Sequence, residues 1–243
     1  MKQSWIGIVG AALLASATPA DAQFVKQGFQ FPKDHKASVL MVCADLFVGS
    51  LDSKQVQLLN PDWTRTAYTN LGDALRAGPI GKAVDLRVPA CDPAVKTPLL
   101  EQVYKDINMR TSDMLFKVPP GTFPLPDNDL RRLKGLKGHY SYQIDSALMA
   151  QIRSAFGEAD YGVFFTMHDA YTTPGAKAGK IAGLFIGVPN QMPPHYANAM
   201  LVDLHSGEVV WLHMDGAVGG DPRTPEGAQR RIAEATVHFP GLK

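Results

Sequence analysis

The stretch 159–215 constrains the fold more than any other part of this chain. Asp160-Tyr161-Gly162-Val163-Phe164-Phe165-Thr166-Met167 is dense in β-branched and aromatic residues and predicts a strand, and 181–188 predicts a second. Residues 197–204 and 209–214 are β-rich runs joined by His205-Ser206-Gly207-Glu208, a short turn of the kind that closes a hairpin. A hairpin is not stable alone and needs a sheet and a covering layer. The expectation is a sheet core here, with the remaining chain packed on it.

The rest of the chain supplies that layer. Residues 37–48 are almost continuously apolar, as in a central strand covered on both faces. Asp62-Trp63-Thr64 opens a helix to about Ala77, with Asp62 as N-cap and Gly78-Pro79 as the stop. A strand at 83–88 follows, and strand–helix–strand over this length predicts a right-handed βαβ unit with parallel strands. Thr97-Pro98 starts a helix to about Lys117, its buried stripe being Leu99, Leu100, Val103, Ile107, Met114 and Leu115. Four prolines keep 118–126 irregular. Residues 141–156 read as a helix with Ile144, Leu148, Ile152 and Phe156 on one face. Thr224-Pro225-Glu226 starts the last helix, which halts at Pro240-Gly241. Together these predict a single α/β domain over 37–243. Its mixed β-sheet has a parallel βαβ start, an antiparallel C-terminal meander and flanking helices.

The first 22 residues stand apart. Lys2 gives a positive start, residues 5–14 are apolar, and Ala20-Asp21-Ala22 fits a small-x-small cleavage site. The apolar run is short of the ~20 residues needed to span a membrane. The expectation is a secretory signal peptide over 1–22, no transmembrane segment after its cleavage, and a periplasmic or secreted protein. The residue directly after the cleavage site is Gln23 rather than cysteine, which disfavours a lipid anchor. Residues 23–36 predict an extended N-terminal arm, ordered only if Phe24, Phe29 and Phe31 find a groove. The formal charge of the whole chain, +1, argues against a nucleic-acid partner. Cys43 and Cys91 are the two thiols. An oxidising compartment can bridge them, and Cys43 can equally be a small hydrophobe inside its strand.

Several of these pieces recur together: the apolar first strand, the helix entered through Asp62-Trp63-Thr64, and Ala159-Asp160-Tyr161-Gly162 before a strand. The hairpin Val202-Asp203-Leu204-His205-Ser206-Gly207-Glu208-Val209-Val210-Trp211 and the segment 220–228 complete the set. The series resembles uncharacterised exported proteins of Gram-negative bacteria, whose architecture is similar to the α/β domain at the amino end of TolB and in CsgG. The resemblance spans roughly 37–239 and implies an envelope accessory protein acting through other envelope proteins, with no catalytic residues and no cofactor. CsgG-like proteins also carry a lipobox cysteine and pore-forming segments; this sequence has neither, so a channel role does not carry over.

Candidate sites lie at the strand ends. His168, Asp169, His213 and Asp215, with Asp203 and His205 at the hairpin turn, are residue types that hold zinc, although no HExxH or paired CxxC accompanies them. There is no Gly-x-Ser-x-Gly elbow, and Ser206 sits in a turn, so a serine hydrolase would have to gather His168 and Asp169 as base and acid. Gly219, Gly220, Arg223 and Thr224 lead into a helix N-terminus, where free N–H groups and a guanidinium suit a small anion; a plain hairpin-to-helix turn explains them as well. The basic run Arg131 to Lys137, with Tyr140 and Tyr142, fits either a solvated face or anionic headgroups. The loops 118–126 and 189–195, carrying Phe123, Leu125 and Met192, are stiff enough for a partner surface or for ordinary connections. The leading expectation is a non-enzymatic contact protein; the alternative is a ligand-binding or hydrolytic enzyme built on His168, Asp169, His213 and Arg223.

Overall fold

Side chains alternate across a strand, so an apolar strand needs cover on both sides, and the chain supplies it with two helical layers. The computed structural model describes residues 22–26, 29–52, 56–116, 143–172, 195–215 and 219–242. The leader 1–21, the loop 118–126, the basic run with Tyr140 and Tyr142, the 181–188 strand and 189–194 lie outside the described residues.

The strands are β1 (Ala22–Val25), β2 (Ser38–Met41), β3 (Asp45–Leu51), β4 (Gln57–Leu59), β5 (Asp85–Arg87), β6 (Tyr161–Thr172), β7 (His195–Asp203) and β8 (Val209–Asp215). They form one mixed sheet in the order β1-β8-β7-β6-β2-β5, with β3 continuing beside β6 past the end of β2 and β4 pairing on β3. β2 is parallel to β5 and β6, and β3 is parallel to β6; the remaining pairings are antiparallel. This is the expected α/β domain, with its βαβ start and its late meander.

The expected strand at 37–48 is two strands. Met41 lies opposite Val163 and Asp45 opposite Thr166, so four steps on one strand match three on its neighbour. The extra residue is a bulge, which breaks the alternation. Val42 and Cys43 consequently both join the same core layer, between flanking residues Met41 and Ala44 that join the other. Asp160 fixes the start of this parallel pair. Its Oδ2 accepts from Ser38 N at 2.9 Å and Ser38 Oγ at 2.8 Å. The Ser38 backbone hydrogen bond, the largest influence, holds the Asp160 carboxyl below its ordinary pKa.

The helices are α1 (Pro61–Ala77), α2 (Pro79–Ala83), α3 (Pro98–Phe116), α4 (Ser146–Phe156) and α5 (Pro225–Ala235). α1 begins two positions earlier than expected: Asn60, not Asp62, is the N-cap and accepts from Trp63 N at 3.1 Å. Pro61 occupies the first helical position, where a missing N–H costs nothing, and Asp62 sits in the first turn. α4 also starts later than expected, capped by Asp145. Residues 143 and 144 instead belong to the sheet margin, through a bridge to Glu208 and a hydrogen bond from Ile144 N to Gly207 O. Gly207 has φ +80°, and a Cβ there would stand 2.1 Å from the Ile144 carbonyl oxygen, so glycine is required.

One core layer joins Val39, Leu46, Val163, Phe165 and Trp211 to Leu71 and Leu75 of α1 and Ile232 of α5. The other joins Leu40, Phe164, Met200 and Leu212 to Val103 and Ile107 of α3 and Leu148 and Ile152 of α4. The N-terminal arm finds its groove: Phe29 and Phe31 pack edge-on against Tyr161 at 5.6 and 5.3 Å, and Phe31 meets Phe239. β1 adds an edge strand to β8, a pairing the arm's composition does not announce.

Candidate functional site

The polar residues at the upper end of β6 divide between the two faces of the sheet. His168 and Asp169 are sequence neighbours and therefore point to opposite sides. His168 is stacked between Phe47 at 4.3 Å and Tyr196 at 5.4 Å, and its Nε2 is 2.7 Å from Gln57 Oε1. Burial lowers its pKa against the opposing pull of Asp169 and Asp45.

Asp169 faces α1 and α5 and is fully buried. Its Oδ1 lies 2.6 Å from His195 Nδ1 and accepts from both terminal nitrogens of Arg231 at 3.2 Å, while Oδ2 is 3.1 Å from the same guanidinium. Arg231 is only 2% exposed and also donates to the Gly220 carbonyl. A buried carboxylate is tolerable only when paired and hydrogen-bonded, and here a helix and a neighbouring strand each supply a partner. The sequence signal for Arg231 is its place on the α5 face defined by Ala228, Ile232 and Ala235.

A second polar layer covers this one. Arg223 pairs with Asp221, its Nη2 2.6 Å from Oδ2, and lies over the rings of Tyr171 at 3.8 Å and Trp63 at 4.4 Å. Tyr171 donates to Asp221 Oδ1 at 3.0 Å. Burial works to raise the Asp221 carboxyl, but the Arg223 and Tyr171 hydrogen bonds together overcome it and hold the pKa below its usual value. Burial, helped by the charges of Asp169 and Asp221, drives the Tyr171 phenol well up.

This arrangement accounts for Gly219, Gly220, Arg223 and Thr224. Thr224 caps α5, its Oγ1 accepting from Gly227 N at 3.1 Å. Gly219 N donates to Glu234, and Gly220, at φ +80°, packs against the Gly227 carbonyl. Arg223 turns to Asp221, so the anion beside this guanidinium is the chain's own carboxylate. The zinc candidates His168, Asp169, His213 and Asp215 are not brought together. His168 is on the other face, Asp169 is taken by Arg231 and His195, and the buried His213 lies parallel to Trp211 further down β8. Among the described residues no group of three His, Cys, Asp or Glu is placed to hold a metal ion. Ser206 belongs to the hairpin turn, where its Oγ accepts from Glu208 N and its N–H donates to Asp203. Cys43 and Cys91 form a disulfide, with Cα atoms 6.0 Å apart.

No protein-family model matches the chain, and no curated protein matches it. Among solved structures, the chain is similar to the PelC dodecamer of Paraburkholderia phytofirmans in two crystal forms, one of them of a point variant. The TM-scores are 0.39 and 0.35, each at 13% identity over 90% of this chain and 96% and 95% of theirs.

Two surface features remain that the internal pairing does not absorb. The first is β4, which pairs with β3 alone among the described strands and leaves Val56, Leu58 and Leu59 exposed. The second is a cleft of about 300 Å³ between the bulge at 42–45, the loop after β5 and the first turns of α3. No helix among the described residues is long and apolar enough to cross a membrane.

Proposed function

We propose that the protein is an exported, non-catalytic accessory protein of the bacterial envelope that lends its β4 edge to an extended segment of another envelope protein. The carrying observation is the state of that edge. Asn60 N donates to Val48 O and Asp52 N to Val56 O. Hydrogen-bonded pairs alternate in an antiparallel ladder, so Gln57 and Leu59 turn their backbone N–H and C=O groups away from β3. Edges are ordinarily guarded by charge, proline or bulges, as β5 is by Asp85 and Arg87. β4 instead presents Leu58 and Leu59, on opposite faces, which suits an added strand with alternating apolar residues. The leader-like first 22 residues and the resemblance of the 202–211 hairpin to exported envelope proteins support the compartment.

The test is a photo-crosslinking residue at Val56 in intact cells, with Arg76 on the far surface of α1 as control. The expected result is a discrete adduct with another protein from position 56 and none from position 76. Leu59→Pro removes an outward-pointing N–H without breaking a β3–β4 bond, so it abolishes the adduct while the melting temperature holds. No adduct, an adduct of the chain with itself, or one indifferent to proline refutes the proposal. Protease accessibility in spheroplasts checks export separately.

A further inference from the structure

The topology marks one crevice before any side chain is considered. β2 lies between its parallel neighbours β5 and β6. The connection to β5 runs through α1 on one face, and the connection from β5 to β6 runs through α3 and α4 on the other. The connections that leave the adjacent strands β2 and β5 therefore pass over opposite faces of the sheet, and in sheets of this kind ligands bind outside the carboxyl ends of the strands at that switch point. The 300 Å³ cleft opens there.

Its lining is mixed in character. Val95, Leu100 and the Tyr104 ring supply apolar wall, and Tyr104 is itself buried. Asp45, from the bulge, pairs with Lys96, from the loop, at 2.5 Å. Glu101 and Lys105, one turn apart on α3, line the same cleft and form no ion pair with a described residue. Two carboxylates and two ammonium groups thus converge beside an apolar wall. A ligand of a single charge sign would meet as much repulsion as attraction. One carrying both signs at close spacing finds acceptors in Asp45 and Glu101 and donors in Lys96 and Lys105. The rim is held before binding, because the Cys43–Cys91 disulfide ties the loop after β5 to the bulge, which reduces the ordering lost on association.

We propose that this cleft binds a small zwitterion of free-amino-acid size with an apolar side chain. Exposed ion pairs contribute little one at a time, so recognition depends on both charges and the apolar body together. The experiment is isothermal titration of the mature, disulfide-intact protein with L-leucine, L-leucinamide and 4-methylpentanoate. The last two lack the carboxylate charge and the amine respectively. L-leucine is expected to bind saturably and each analogue about tenfold more weakly. Glu101→Gln should weaken L-leucine and leave 4-methylpentanoate unchanged; Lys105→Gln should weaken L-leucine and leave L-leucinamide unchanged. Both side chains are exposed, so the variants fold, as far-UV circular dichroism will check. No saturable binding of L-leucine up to about 10 mM, equal binding of all three compounds, or indifference to both variants overturns the assignment. The crosslink from Val56 is expected whichever way this titration turns out, so the two proposals fail separately.

Discussion

Arg231→Met isolates the interaction on which the upper end of the sheet depends. The substitution keeps the length and packing of the side chain and removes the guanidinium that hydrogen-bonds Asp169 Oδ1 and lies 3.1 Å from Oδ2. Asp169 has no exposed surface, so water cannot replace the lost donors, and His195 remains as its only close partner among those described. Removing one member of a buried ion pair typically costs about 3–5 kcal/mol, mainly from the charge left behind. A domain of this kind has about 5–15 kcal/mol in total, so about a fifth or more of the stability is at stake. Urea unfolding of the mature, oxidised protein measures it through the midpoint at unchanged slope. In the Asp169→Leu background, Arg231→Met should cost far less, because no carboxylate remains to be stranded. A loss below about 1 kcal/mol in the single variant, or strict additivity in the double, would refute the view that Asp169 needs Arg231.

The Cys43–Cys91 bridge closes a loop of 48 residues' separation, and loop entropy puts its removal as the Ser/Ser variant at about 4 kcal/mol; thermal unfolding with and without reductant checks this. Gly207→Ala forces a side chain into a φ of +80° and against the Ile144 carbonyl, so a loss of about 2 kcal/mol or more is expected, with loosened packing of α4 visible by amide exchange. His168 has a folded pKa lowered by burial, so the unfolded chain takes up its proton first as pH falls. Its contribution is complete above the unfolded value of about 6.5 and is lost as pH drops through the folded one. His168→Phe should therefore flatten the fall in urea midpoint between about pH 7 and pH 5; an unchanged slope would contradict the sign.

Much of the architecture follows from local pattern. Thr224-Pro225 and Thr97-Pro98 mark helix starts because a capping hydroxyl and a fixed φ act within a few residues. The 159–215 run reads as sheet because β-branched and aromatic residues fit a pleated surface. The cap of α1 lies two positions before Asp62 because Asn60-Pro61 competes for the same role.

The candidate sites were less legible, because they depend on what lies across the sheet. The sequence places His168 beside Asp169, and the pleat alone is enough to separate their faces. It cannot tell that Asp169 will meet Arg231, 62 positions away, or that Asp221 will occupy the guanidinium of Arg223. The cleft is further removed still: it exists because a one-residue bulge puts Asp45 and Cys43 opposite α3 and because the connections from the adjacent strands β2 and β5 run over opposite faces of the sheet. Caps, periods and turn chemistry are short-range forces that adjacent residues settle among themselves. Charge pairing and crevices are settled by register and helix placement, which only the folded sheet decides.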